Sequence, residues 1–382
     1  LCDIIYNIFM KEVCLLDIGS GKLVFASGRR SEKGVYTVSR FSTAAYDGFY
    51  KGQWMSEDKL GDDVRGVVLS AGGDAPRVLY VGVPCDFLEY RNNFVRHVLP
   101  SARTVTSGLI DEIYARGNLF GSDKDRTVIA SAACGFTLDG GYAVDPIGKQ
   151  TSSVECTVTY ILCDREFCSR IEKIARSAGA DKICFVSAFW AESVRLIDED
   201  DRKRGALVLD IGFSTSSAAY VKGDGFEAHS SLAVGGAHIP GDLSQVLGVS
   251  YGEAEGLCGQ INLGFADDET YMLDTARGVV SFGADKANGI VKARLDDLAG
   301  LVRSVCPESA DKLFVTGGGL LAVKGAVGYL GNSLGLNAEM FAPGVPMYSK
   351  PQYSSVFGTF DAADKIERSN TVLSRLLDKI RR

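Results

Sequence analysis

Histidine, tryptophan and proline are scarce in this 382-residue chain, which has three His, two Trp and nine Pro. Its ten cysteines include no Cys-x-x-Cys pair and stand beside no histidine cluster, which excludes the common zinc motifs. A chain of this length builds its core without disulfides. We therefore expect a cytoplasmic protein whose reduced cysteines pack as small hydrophobic residues.

Positive charge is also in short supply, with 41 Lys and Arg against 48 Asp and Glu. Because nucleic-acid binders need a clustered basic surface, we predict no nucleic-acid partner. No apolar run approaches the roughly 20 residues of a membrane-spanning helix, and no basic segment precedes the first apolar stretch. We predict neither an integral membrane protein nor a secreted one, and we expect residues 1–9 to be an upstream extension before Met10.

A short pattern occurs twice, about half the chain apart. Residues 13–20 read VCLLDIGS and residues 207–214 read LVLDIGFS. Each copy is an aliphatic run typical of a buried strand, ends in Asp-x-Gly, and is followed by a second strand-like run. The repeat predicts two related hairpins in a mixed α/β protein with duplicated halves.

Both hairpins have the composition of a phosphate-binding loop. Small residues let backbone N–H groups approach phosphate oxygens, and a carboxylate at a strand end can hold hydrated Mg²⁺ or orient water. Lys22 would add a positive charge to the first loop. A single Asp-x-Gly is a common turn, but two copies together with the three glycines at 317–319 indicate a nucleotide site.

These motifs resemble those of the FtsA family, the bacterial cell-division branch of the actin-like ATPases. Residues 17–22 and 209–212 are similar to its two phosphate motifs, and residues 234–236 with Asp242 to the segment that follows. Three further segments carry the resemblance: the Ala254-Glu255 pair near the ribose, the adenosine motif at 315–319, and the closing Pro-x-Tyr motif at 351–358. Residues 142–148, before the strand at Val154, resemble part of the family's inserted 1C domain.

The resemblance implies an actin-like (ribonuclease H-like) α/β fold with duplicated halves, mixed sheets and a small inserted α+β domain of the SHS2 type. It implies these units: 1–76 and 163–204, subdomain IA; 77–162, the inserted 1C domain; 205–245, subdomain IIA; 246–310, a mainly helical subdomain IIB; 311–360, IIA continued with the return to IA; and 361–382, a linker with a C-terminal amphipathic helix.

The resemblance also implies roles for particular residues. Asp17, Asp210 and Glu192 would be catalytic, and Asp17 and Asp210 would hold Mg²⁺ through water. The residues implied to bind ATP are Gly19, Ser20, Gly21, Lys22, Gly212, Ser214, Thr215, Gly235, Gly236, Glu255, Gly317, Gly318 and Gly319.

Three departures bear on hydrolysis. The family's second motif continues Gly-Gly-Thr-Thr-Asp, whereas residues 213–217 here read FSTSS, so Ser217 stands at an acidic position. Ala188 stands where the family has Glu, and Cys258 where it has Lys. Since carboxylates order the attacking water, we expect slow or absent hydrolysis. Glu192 would be the substitute carboxylate if the backbone is shifted by one residue.

The family resemblance further implies a divisome protein that self-associates head to tail into a filament, binds the C-terminal tail of FtsZ near residues 251–309, and tethers the FtsZ ring to the inner face of the cell membrane. At about 100° per residue, one face of a C-terminal helix would be apolar and the other basic. We predict a peripheral anchor on anionic membrane from Val372, Leu373, Leu376, Leu377 and Ile380 with Arg375 and Lys379.

Alternatives stay open. A related actin-like scaffold of a pilus-assembly complex would carry the same loops. Residues 248–252 match the Gly-x-Ser-x-Gly pattern of hydrolases, but a helical pattern precedes them, so we predict that Ser250 is a helix N-cap before Glu253. The charged stretch 198–204 is predicted to be a solvated turn, and Trp54 and Trp190 to be packing residues.

Overall fold

The computed structural model of the protein describes residues 12–369, except positions 32, 267 and 277. The strands are β1 Val13–Ile18, β2 Lys22–Arg30, β3 Tyr36–Ala45, β4 Phe49–Tyr50, β5 Gln53–Trp54, β6 Val78–Val83, β7 Leu88–Thr104, β8 Arg126–Leu138, β9 Gly141–Ala143, β10 Gln150–Asp164, β11 Lys182–Ser187, β12 Ala206–Ile211, β13 Ser216–Lys222, β14 Gly225–Leu232, β15 Thr270–Thr275, β16 Gly278–Gly283, β17 Lys312–Thr316 and β18 Asn337–Met340. The helices are α1 Glu57–Ser70, α2 Ser107–Gly117, α3 Arg165–Ser177, α4 Ala188–Leu196, α5 Glu199–Arg204, α6 His238–Leu247, α7 Tyr251–Cys258, α8 Ala284–Arg303, α9 Ala326–Leu334 and α10 Ser354–Ser369.

Two five-stranded sheets share one strand pattern. In the first, of order β11-β6-β1-β2-β3, β1 to β3 form an antiparallel meander, and β6 and β11 add in parallel. The second, of order β14-β13-β12-β17-β18, repeats this with β12 to β14 as the meander. The predicted duplicated halves and mixed sheets are confirmed. Both Asp-x-Gly motifs lie at the same place, where the first strand turns into the second.

The central strands are buried on both faces. Every residue of β1 is buried, as the continuous aliphatic run predicts for a strand covered by other layers. Helix α8 lies against the second sheet and buries Val291, Leu295 and Leu298 in its core cluster. The first sheet has a core on each face, one including Leu16 and the other Leu15.

A separate four-stranded sheet, of order β7-β10-β8-β9, follows β6 in the chain. Its core, with Val154, Val158 and Ile113 among its members, packs beneath α2. The predicted insertion began at 77, but β6 pairs with β1 and β11, so the separate sheet starts only at Leu88 and runs through β10 to Asp164. The short aliphatic run of β6 is typical of a buried parallel strand. The remaining subdomain boundaries stay a prediction.

The part predicted to be mainly helical contains α7 and α8 and also the β15–β16 hairpin, in which Tyr271 and Leu273 alternate with exposed residues and so follow a strand period. One local prediction was wrong. The predicted solvated turn at 198–204 is helix α5, capped by the Asp198 side chain. Its Asp201 is buried and pairs with Lys312 at 3.0 Å.

Two other local predictions were right. The capping box predicted at Ser250 is present: the Glu253 N–H donates to Ser250 Oγ at 3.3 Å, and the Ser250 N–H donates to Glu253 Oε2 at 2.7 Å. The Gly-x-Ser-x-Gly pattern therefore begins a helix and forms no nucleophile elbow. Trp54 packs as expected, with its ring stacked 5.1 Å from that of Phe87.

Helix α10 covers one face of the first sheet. Phe357, Phe360 and Ala363 are buried at three-residue spacing. The predicted linker from 361 is helical to Ser369, because neither proline nor glycine interrupts this stretch. The predicted anchor residues, from Val372 to Ile380, lie outside the described residues. Within residues 12–369 as described, no helix is long and apolar enough to cross a membrane.

Candidate functional site

A cavity of about 470 Å³ lies where the two Asp-x-Gly turns face each other. The Ser214 N–H donates to Ser20 Oγ at 3.1 Å, which joins the β12–β13 turn to the β1–β2 turn. The Thr215 hydroxyl donates to Asp86 Oδ1 at 3.0 Å and forms a second bond between the halves. The cavity is therefore bounded by both sheets.

Glycines let three backbone segments meet at one wall. Gly317 has a φ of +86°, and a Cβ there would overlap Asp210 and the Ile211 carbonyl. A Cβ on Gly319 would lie 2.5 Å from Ile211 Cγ2, and one on Gly236 would overlap Gly319. Gly318 differs, because a Cβ there would meet only Gln352, at 3.3 Å. Residues 317–319 thus form a thin backbone wall whose middle glycine has room beside it.

Three carboxyl groups converge on the cavity from β1, β12 and α4. Asp17 is 5% exposed and accepts a hydrogen bond from the Ser355 hydroxyl at 2.8 Å. Burial raises the pKa of Asp17 to about 6, although that bond and the nearby Lys22 lower it. Burial, reinforced by the charge of Asp17, also raises the pKa of Asp210 to about 6. The site is therefore costly to hold fully ionised without a cation.

Glu192 is the most deeply buried of the three carboxyl groups, at 1% exposed. Burial first, then the charges of Asp210 and Asp17, raise the Glu192 pKa well above its ordinary range. The nearby charge of Asp210 thus favours the neutral form of Glu192. Glu192 Oε1 has no hydrogen-bond partner.

Lys22 is the only basic side chain among the described residues that line the cavity. Its Nζ donates to the Gln352 carbonyl at 3.1 Å and lies 5.0 Å from the Tyr353 ring centre. Burial lowers the Lys22 pKa, while the charges of Asp17 and Asp210 oppose that shift. This places a partly desolvated ammonium group at the first turn.

The other end of the cavity is less charged. Helix α7 contributes Tyr251, Glu255 and Cys258, and α6 contributes Ile239 and Pro240. A carboxylate beside apolar and aromatic walls is a suitable lining for a flat ring joined to a sugar. No group of three or more His, Cys, Asp or Glu in the described part of the chain is arranged to hold a metal ion directly.

Most of the predicted site residues line this cavity. They are Asp17, Gly19, Ser20, Gly21, Lys22, Glu192, Asp210, Gly212, Thr215, Gly236, Glu255, Gly317, Gly318 and Gly319. Two do not: Ser214 packs beneath the turn, and the Gly235 N–H donates to His238 Nδ1 at 3.0 Å. Asp242 pairs with Arg294 at 2.8 Å, away from the lining.

The sequence reasoning missed several lining residues, among them Asp86, Phe213, Gln352 and Ser355. A signal existed for Asp86, which follows β6, because the carboxyl ends of neighbouring parallel strands meet at one edge. Gln352 and Ser355 lie within the closing Pro-x-Tyr motif. In the sequence, Phe213 stands out only as a departure from the family pattern, which does not by itself predict a place in the lining.

Comparison with known proteins finds similarity to FtsA proteins. The model of "Cell division protein FtsA" matches residues 207–358. The FtsA of Helicobacter pylori is 26% identical over 135 residues, 35% of this chain and 27% of that protein. The FtsA of Streptococcus pneumoniae is 21% identical over 375 residues, 93% of this chain and 80% of that protein. The chain resembles the FtsA family.

Solved structures show the same fold as this chain. The PilM–PilN type IV pilus biogenesis complex matches with a TM-score of 0.62 and 14% identity, covering 93% of this chain and 99% of that one. MreB5 of Spiroplasma citri bound to AMPPNP matches at 0.59 and 11%, covering 94% and 98%. At such identities the likeness concerns the actin-like fold alone.

The buried carboxyl group of Asp17 gives a prediction for the ligand-free protein. Its pKa rises from 3.8 to about 6 on folding, so the folded state favours the protonated acid. The stability this gives is present below pH 4 and is lost as the pH rises through 6. We expect Asp17→Asn to raise the free energy of unfolding at pH 7.5 by about 1–3 kcal/mol, with no gain near pH 4. Urea denaturation at both pH values measures this.

Asp139→Asn is the matched control. Hydrogen bonds from the backbone and hydroxyl groups of Ser152 and Ser153 hold the Asp139 pKa below its usual range. Removing that charge should therefore destabilise the protein at pH 7.5. Equal stability of wild type and Asp17→Asn at pH 7.5 would contradict the cost assigned to the buried carboxylate.

Proposed function

We propose that this FtsA-like protein binds ATP with Mg²⁺ in the cavity between its two halves. The observation that carries the proposal is that separate segments resembling the FtsA nucleotide motifs line one cavity. They are the two Asp-x-Gly turns, Gly236, Glu255 and residues 317–319. MreB5 of Spiroplasma citri has the same fold and was solved with AMPPNP bound, which is a precedent for an adenine nucleotide in this fold.

The lining suits each part of the ligand. Backbone N–H groups of the two turns, together with Lys22, would receive the phosphates. Asp17 and Asp210 fit a hydrated Mg²⁺, because this ion usually keeps several waters and takes one or two carboxylates. The ion would supply the positive charge that offsets both carboxylates. Residues 317–319 and Glu255 would border the nucleoside, with the Glu255 carboxylate toward the ribose.

Hydrolysis is proposed to be slow or absent. Ala188 and Ser217 line the cavity at positions where the family has carboxylates. Glu192 lies one turn beyond Ala188 in α4 but is a poor substitute. Its pKa is raised well above the ordinary range, which favours the neutral acid, and a neutral carboxylic acid cannot take a proton from water. The nucleotide would then favour a closed conformation rather than drive turnover.

The binding site is tested at Gly318. In Gly318→Asp the new carboxylate would meet the nucleotide, and repulsion by a like charge should weaken binding at least tenfold. Titration with a fluorescent ATP analogue in Mg²⁺ buffer measures this. Gly318→Ala is the control, because its methyl group meets only Gln352 and adds no charge. If Gly318→Asp binds as tightly as wild type, the site assignment is wrong.

The proposal on hydrolysis is tested by phosphate release from saturating Mg-ATP. We expect a turnover far below the roughly 1–100 per second of phosphate-transferring kinases. Glu192→Gln should leave this low rate unchanged, because the amide keeps the volume and the donor of the protonated acid. A kinase-like rate in wild type would overturn the proposal, and so would a fall of tenfold or more in Glu192→Gln.

We further propose that the chain acts in cell division. It would assemble head to tail into an actin-like filament, bind the C-terminal tail of FtsZ through the part containing α7 and α8, and tether the FtsZ ring to the inner face of the membrane. Similarity to FtsA proteins and the actin-like fold support this. The alternative is a scaffold of a pilus-assembly complex, for which the fold shared with PilM is the supporting observation.

Co-sedimentation separates these roles. We expect the full chain with Mg-ATP to pellet with vesicles of anionic lipid and to bind an FtsZ tail peptide. A chain that ends at Asn370 should bind the peptide but pellet less, because it lacks the predicted amphipathic helix. Neutral vesicles are the control for the charge requirement. Equal pelleting of both chains would exclude that helix as the anchor. Failure of both vesicle and peptide binding would favour the pilus scaffold.

A further inference from the structure

Phe213 makes an unusual contact across the cavity. It belongs to the β12–β13 turn and is 53% exposed, yet the covered part of its ring lies against Gly21 in the β1–β2 turn. A Cβ on Gly21 would lie 2.8 Å from ring atoms Cγ and Cδ1. The ring therefore occupies space left by the missing side chain at position 21. The two residues belong to different sheets, so the contact joins the halves.

The backbone beneath Phe213 is held in place. The Phe213 carbonyl accepts a hydrogen bond from the Ala237 N–H at 2.9 Å, and the Gly212 N–H donates to the Thr215 carbonyl at 3.0 Å. A Cβ on Gly235 would lie 2.6 Å from the Phe213 carbonyl oxygen, so the supporting segment is close as well. The ring is fixed to the second half and cannot follow Gly21 when the halves separate.

The neighbouring contacts between the halves are polar. They are the hydrogen bonds of Ser214 with Ser20, of Thr215 with Asp86, and of the Ser214 hydroxyl with the Phe49 carbonyl at 3.4 Å. Water replaces such bonds when the cleft opens, so each adds little net free energy to the closed state. The ring against Gly21 differs, because opening exposes apolar surface that water does not compensate.

We propose that Phe213 and Gly21 form an apolar latch that holds the cleft closed in the ligand-free protein and slows nucleotide exchange. The effect on nucleotide exchange rests on the proposed ATP binding, whereas the closing of the ligand-free cleft does not. The family pattern has glycine at position 213, so the latch is a feature of this chain. Phe213 acts here as a positioning residue and takes no part in chemistry.

The cavity supplies its own reporter of opening. Cys85 lines it, lies 3.7 Å from the Tyr90 hydroxyl, and has its pKa raised to about 12 by burial. Cys85 is only partly exposed in the closed cleft, so opening of the cleft should speed its alkylation by a maleimide. Cys156 is 4% exposed in the core of the separate sheet and reports global unfolding. Peptide mass spectrometry measures both rates in the same ligand-free sample.

In Phe213→Ala we expect Cys85 to be alkylated about tenfold faster than in wild type. This corresponds to a loss of ~1.4 kcal/mol from the free energy that favours the closed cleft over the open one. The rate at Cys156 should not change. Phe94→Ala, which removes a 61% exposed phenylalanine from β7, is the matched control and should leave both rates unchanged. An unchanged Cys85 rate in Phe213→Ala overturns the latch. A rise at Cys156 equal to that at Cys85 also overturns it, since the effect is then unfolding.

A double-mutant cycle tests the contact itself. Gly21→Ala should also speed alkylation of Cys85, because its methyl group pushes the ring away, but it should add nothing in the Phe213→Ala background. Additive effects would overturn the pairing. The fluorescent ATP analogue should dissociate about tenfold faster from Phe213→Ala than from wild type. If wild type binds no nucleotide, the proposed function fails, while the alkylation rates still decide the latch.

Discussion

The convergence of three carboxyl groups, of which Asp17 and Glu192 are buried and Asp210 is partly buried, is the constraint around which this molecule is arranged. Asp17 and Asp210 end the equivalent first strands of the two sheets, and Glu192 reaches them from α4. Like charges in a low dielectric repel strongly, so the group is stable only with protons, hydrogen bonds or a cation. Ser355 and Lys22 each provide part of this compensation. The remainder is left for a ligand.

The position of Glu192 depends in turn on close helix packing. Helix α10 crosses α4 at Gly358, where a Cβ would overlap the backbone of Glu192. The missing side chain lets α10 approach while Ser355, on the same helix, reaches Asp17. One helix thus sets both the depth of the glutamate and a hydrogen bond to the first aspartate. This explains in physical terms why a motif far along the chain closes the site.

The sequence was most informative where chemistry repeats locally. The two Asp-x-Gly hairpins could be predicted because an aliphatic run followed by small polar residues specifies a strand and a turn without distant contacts. The β15–β16 hairpin was missed because only the packing of Tyr271 and Leu273 distinguishes it from a helix. Asp86 and Ser355 were missed for a related reason. Their roles come from sheet order and helix crossing, which no short segment encodes.

The departures from the family pattern act together on this geometry. Ala188 and Ser217 remove charge from the lining, and burial raises the pKa of the Glu192 carboxyl group, which favours its neutral form. At the same place Phe213 adds an apolar contact between the halves where the family has glycine. The first change weakens activation of water, and the second opposes opening of the cleft. Under the proposed function both favour long retention of a nucleotide over turnover. Long retention of a nucleotide suits a protein that acts through its closed conformation. The two halves then keep one relative arrangement for as long as the ligand stays bound.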